Sequence, residues 1–208
     1  VEHRGPFGFF LYDIATEKRV WQQRLGGHVY FDPHGRFVVH HHMNATQDLW
    51  LLNPADGSRI RRMDPGHNFI WKIAFNCDGR LMACGDIFGY ASVWEVETGK
   101  LVQRIKAGNG STPGIAFTRD DQLVTLSSER EDRGGRHRLR LWDLVDGKQL
   151  DFRIGILKTT GHIALDPDTG HVLCSGDPAT LWQFPIRREQ WRFEATKGGQ
   201  SVAFLGDD

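Results

Sequence analysis

A chain of 208 residues can bury a sizeable core in one or two domains. Its 26 Lys and Arg balance 26 Asp and Glu, which excludes a generally basic binder of nucleic acid or membrane surfaces. Hydrophobic residues at 39% exclude disorder, and no apolar run approaches the ~20 residues of a spanning helix. The 24 Gly, 13 Phe and 7 Trp point instead to short strands joined by tight turns.

In chain order, residues 7–14 and 19–25 read as the third and fourth strands of a first, partial unit. Val29-Tyr30-Phe31 then opens a pattern of two or three apolar residues followed by a turn. It returns at Ile73-Ala74-Phe75, Ile115-Ala116-Phe117, Ile163-Ala164-Leu165 and Val202-Ala203-Phe204. Its last residues, at 31, 75, 117, 165 and 204, are spaced by 44, 42, 48 and 39. Tyr12, Trp50, Trp94, Trp142 and Trp182 form a second marker, spaced by 38, 44, 48 and 40. Two markers with one period define a repeat. Each period reads as four strands: in the unit beginning near residue 69 they cover 69–75, 81–84, 90–96 and 100–105. Asn76-Cys77-Asp78-Gly79 and Glu97-Thr98-Gly99 supply turns, since glycine takes the positive φ that turns require. No helical stripe separates the strands, so the expected class is all-β.

Four-stranded units of ~40–45 residues resemble the WD40 β-propeller family. Trp142-Asp143 is the family's dipeptide, Trp94-Glu95 a near match, and Trp50 and Trp182 keep only the aromatic. Gly66-His67 stands where the family's Gly-His does, and the resemblance gives His67 a blade-orienting role. The tetrad Asp expected six residues before each Trp is replaced by Asn44, Phe88, Arg136 and Gly176, so the repeats are degenerate. The resemblance implies a propeller of four-stranded antiparallel blades over the whole chain. The blades would span 26–66, 67–108, 109–156 and 157–196, with partial blades at 1–25 and 197–208. Seven-bladed closure, the family norm, needs ~300 residues at this period, so the chain is expected to be part of a longer protein or assembly. The alternative is a five-bladed ring closed by the terminal strands.

The candidates for chemistry are few. His40-His41-His42 puts His40 and His42 on one strand face, but no third ligand stands at a recognisable spacing, so no metal is assigned. A polar, partly exposed second strand explains the triplet. Cys77, Cys84 and Cys174 lack metal or disulfide spacing and suggest a reducing, cytoplasmic setting. The Gly-rich segment 108–114 has no following Lys or helix, so it reads as a loop between blades rather than a phosphate cradle. Segment 127–140 carries five Arg against three acidic residues and reads as a protruding loop. Arg130, Arg133, Arg136 and His137 are therefore candidate contacts, with Asn44, His67 and Tyr90 on neighbouring loops. The favoured function is a non-catalytic module for protein partners, with no cofactor and no membrane. The alternatives are nucleic-acid or phosphate binding through 129–140, and a propeller enzyme with a metal or cofactor in its channel.

Overall fold

A computed structural model describes residues 8–24, 26–42, 48–64, 69–129, 137–154, 162–175, 179–183 and 189–193. The expected strand at 202–204 lies outside them. All regular structure among these residues is β, and no helix is long and apolar enough to cross a membrane. The chain divides into two compact units, Val1–Phe69 and Ile70–Asp208.

In the first unit, β1 (Phe9–Asp13) pairs antiparallel with β2 (Lys18–Gln23). A four-stranded sheet follows, made by β3 (His28–Phe31), β4 (Val38–His41), β5 (Leu49–Leu52) and β6 (Arg59–Met63) in sequence order. Trp21 fills the core with Val38 and Leu52, and its indole N–H donates to Pro54 O at 2.8 Å.

The second unit repeats that sheet three times. Its strands are β7 (Ile70–Phe75), β8 (Leu81–Asp86), β9 (Tyr90–Glu95) and β10 (Leu101–Lys106); β11 (Gly114–Phe117), β12 (Leu123–Ser128), β13 (His137–Trp142) and β14 (Gln149–Ile154); and β15 (Ile163–Leu165), β16 (His171–Cys174), β17 (Ala179–Gln183) and β18 (Glu189–Phe193). First strands neighbour one another, β7 beside β11 and β11 beside β15. Leu81, Ala83 and Val93 pack with Ile115, Phe117 and Trp142. Val124, Leu126 and Leu139 pack with Ile163, Val172 and Trp182. Each sheet thus covers one apolar face with its neighbour, as a unit too thin to bury its own core must.

The register explains the shared period of the two sequence markers. Phe75 faces Met82, Met82 faces Trp94, and Trp94 faces Leu101 in one row across the sheet. Phe117, Leu123, Trp142 and Gln149 form the same row, and Leu165, Val172, Trp182 and Glu189 repeat it. In the β3–β6 sheet the row reads Phe31, Val38, Leu52 and Arg59. Leu52, not Trp50, therefore occupies the anchor position there. Residues two apart on a strand share a face, so Trp50 mimicked the spacing while lying two residues before Leu52 on the same strand. The markers Tyr12, Leu52, Trp94, Trp142 and Trp182 are separated by 40, 42, 48 and 40 residues.

The turn at 86–90 is held by hydrogen bonds to both Asp86 and Gly89. Asp86 is buried, and its Oδ1 accepts from the Phe88 and Tyr90 N–H groups, each at 2.8 Å. Gly89 has φ +85°, and its carbonyl accepts from Ala107 N–H at 2.8 Å and Gly108 N–H at 3.1 Å. A side chain at Gly89 would collide with the carbonyls of Gly108 and Gly110. Gly89→Ala is expected to cost about 2–4 kcal/mol, since backbone strain and a backbone collision add. Gly35→Ala, with φ +67° but open space, should cost only about 1 kcal/mol. Urea unfolding of the two variants checks the contrast.

Candidate functional site

In the second unit, one end of the sheets gathers the β8–β9 turn, the β10–β11 connection and the ends of β12 and β13. Hydrogen bonds fix these connections to one another. Thr112 N–H donates to Asp86 O, Gly110 N–H to Ser128 O, and Ser128 N–H to Ser111 O, all at 2.8 Å. Gly108 and Gly110 lie so close to Ser127 and Ser128 that a Cβ at either would press on those serines.

Below them lies a buried polar centre. Arg140 Nη1 donates to Ala107 O at 2.5 Å and Ser127 Oγ at 2.6 Å, and Nη2 donates to Glu129 Oε1 at 2.5 Å. Ser127 Oγ also donates to Ala107 O at 2.6 Å. Such a pair is costly to desolvate, and removing one partner alone typically costs about 3–5 kcal/mol. The Arg-rich segment is thus not one protruding loop. β12 runs to Ser128 and β13 begins at His137, so Arg138 and Arg140 are strand residues. Arg140 joins the connection 107–114 to β12 and β13 from inside.

The exposed surface of this end is aromatic and cationic. Tyr90 is the first residue of β9, not a loop residue, and its ring carries two cations. Arg104 Cζ lies 4.7 Å and Lys106 Nζ 4.2 Å from its centroid, and Lys106 Nζ also donates to Phe88 O at 2.7 Å. Phe88 is 44% exposed at the tip of the turn. At the start of β7 a bulge between Ile70 and Lys72 drops Trp71 out of the ladder and leaves it 52% exposed. Bulges re-aim side chains in this way.

The residues expected from sequence divide accordingly. Tyr90 is in this cluster. His137 is 3% exposed, buried at the start of β13, so it offers almost no surface to a partner. Asn44, His67, Arg130, Arg133 and Arg136 lie outside the described residues. Trp71, Phe88, Arg104 and Lys106 were not anticipated. The usable signal was the i, i+2 spacing of Arg104 and Lys106, which puts both on one strand face, opposite and diagonal to Tyr90.

The histidine triplet is not a partly exposed strand. His40 and His41 are buried and only His42 reaches the half-buried surface. His40 and His42 do share a face, with ring centroids 5.8 Å apart, and His40 lies 4.9 Å from Phe9. His40 Nε2 is 3.1 Å from Gly26 O. Among the described residues no group of three His, Cys, Asp or Glu converges as a metal site would require. Cys84 and Cys174 are buried, and burial pushes the Cys174 thiol up to about 12 and Cys84 higher still, which keeps both protonated and inert.

No protein-family model matches the chain. WD repeat and SOCS box-containing protein 1 of Danio rerio is 32% identical over 148 residues, covering 68% of this chain and 33% of that protein. Its Xenopus tropicalis counterpart is 28% identical over 150 residues, covering 69% of this chain and 34% of that protein. The chain spans about a third of the length of these relatives. A chain in the crystal structure of the mitotic checkpoint complex superimposes on 92% of this chain and 60% of its own length, with TM-score 0.75 at 11% identity. The repeats are WD40-type β-propeller blades. In that family's terms the tetrad is partly replaced. Trp142 Nε1 donates to Thr125 Oγ1 at 2.8 Å, and Asp86, two residues upstream of the expected position, closes the turn instead.

The histidines give a measurable pH dependence. Burial chiefly lowers the His40 pKa, and the charges of His42 and Arg59 add to this, against opposing effects of the Gly26 carbonyl and Asp48. A lowered folded pKa means that the unfolded chain binds the proton first. Stability should therefore fall as pH drops below about 6.5 and level off once the folded-state pKa is passed. Unfolding free energies across this range check it, and His40→Gln should flatten the slope.

Proposed function

We propose that the chain is a non-catalytic protein-docking module whose binding surface is the end of the second unit bearing Trp71, Phe88 and Tyr90. The supporting observation is that Trp71 and Phe88 are exposed and Tyr90 half-buried beside a turn held by backbone hydrogen bonds, next to a buried Arg140–Glu129 pair. Binding residues on loops fixed by a rigid scaffold lose little freedom on association. Trp and Tyr supply large contact area, and they are enriched among residues that dominate interface energies. The sequence candidates Arg130, Arg133 and Arg136 belong to the same proposal, because residues 130–136 join Glu129 to His137 at this end. Asn44 and His67 are proposed as contact residues in their own right. The curated relatives are named for a SOCS box beside their WD repeats. In a protein so arranged, the repeats of this chain would supply partner recognition.

Affinity capture with the wild type, Trp71→Ala and a variant carrying a Gly/Ser spacer at 130–136 tests the surface. Both variants are expected to lose partners that the wild type retains, by about tenfold or more for the Trp. Val145→Ser, on the exposed β13–β14 turn at the other end of its sheet, should leave them bound. Loss with Val145→Ser and retention with Trp71→Ala would place the docking surface at the opposite end.

A further inference from the structure

We infer that Tyr90, Arg104 and Lys106 form the seat for an acidic protein segment, which lays Asp or Glu carboxylates against the two cations and an apolar side chain against Phe88. This rests on the docking surface proposed above and names the chemistry of its occupant. Three observations carry it.

The first is geometry. Lys106 is the cross-strand partner of Tyr90, and Arg104, two residues earlier, leans over the same ring from the same face. The ring holds the guanidinium by cation–π attraction rather than by a carboxylate, which leaves its donors open to a planar carboxylate. The second is unused capacity. Among the described residues Arg104 and Lys106 make no ion pair; the Arg104 side chain makes no hydrogen bond, and Lys106 makes one, to Phe88 O. By contrast Arg36, Arg62, Arg80 and Arg119 each lie beside an Asp within 3.1 Å. The third is the fate of the nearby acid. Asp86 is buried, and its Oδ1 accepts from the turn amides of Phe88 and Tyr90. Two outward cations on one aromatic plate, with the neighbouring carboxylate turned inward, complement an anionic partner. Among the described residues, the two cations on this ring stand at a single point and make no continuous track of the kind a phosphate backbone requires.

The test uses the whole chain and fluorescence anisotropy with a short labelled peptide that alternates Glu with Phe and Leu, its Gln isostere, and a single-stranded oligonucleotide. The Glu peptide should bind at least about tenfold more tightly than the Gln isostere, and more weakly as salt rises. R104E/K106E should abolish that preference, and because both side chains are exposed its melting temperature should stay near that of the wild type. Tyr90→Phe should retain binding and Tyr90→Leu should weaken it. Equal binding of the two peptides, an unchanged preference in R104E/K106E, or tighter binding of the oligonucleotide would overturn the inference. If the acidic preference is absent while Trp71→Ala still loses captured partners, the docking surface stands and only this assignment falls.

Discussion

The turn from Asp86 to Tyr90 fixes the connections at this end of the second unit. Its carboxylate is taken out of water, and burial is tolerable because two backbone N–H groups satisfy it. That anchor places the Gly89 carbonyl where Ala107 and Gly108 can donate to it, which in turn ties β10's exit to β8's. Only glycine fits at 89, because a left-handed φ and the carbonyls of Gly108 and Gly110 leave no room for a Cβ. In the β7–β10 sheet Asp86 thus supplies a hydrogen-bonded anchor close to where the tetrad Asp is missing.

The arginines of this end divide by burial, and burial decides what each can do. Arg140 has exchanged water for Ala107 O, Ser127 Oγ and Glu129, so its charge is neutralised inside the unit and it fixes geometry. Arg104 keeps its charge at the surface and is held by a ring rather than by a carboxylate. A chain with equal acids and bases overall therefore presents a local cationic face, because the described acids at this end, Asp86 and Glu129, are buried.

Much of the architecture was legible in sequence because the sheet has one periodic row. Phe75 and Trp94, or Phe117 and Trp142, recur together since they belong to one cross-strand row, and turn glycines such as Gly57, Gly99 and Gly147 punctuate it at positive φ. Where identity and position part company the reading slipped, as at Trp50, because Leu52 serves the anchor role with no aromatic to mark it. The site was far less legible. Composition cannot say whether a side chain points in or out, so His137 looked like a loop contact and Arg140 like part of the same loop, although both are buried strand residues. Trp71 owes its exposure to a bulge that no alternation pattern announces. Tyr90 was found as a candidate, but the cations on its ring come from another strand.

The central claim is that the exposed aromatic and cationic groups stand on connections already rigid before any partner arrives. Amide hydrogen exchange of the free protein tests it most directly. The N–H groups of Phe88, Tyr90, Ala107, Gly108, Gly110, Thr112 and Ser128 each donate to a named acceptor, so they should exchange as slowly as the amides inside β8 and β9. Exchange of these seven amides at the rate of an open loop, with β8 and β9 still protected, would contradict it.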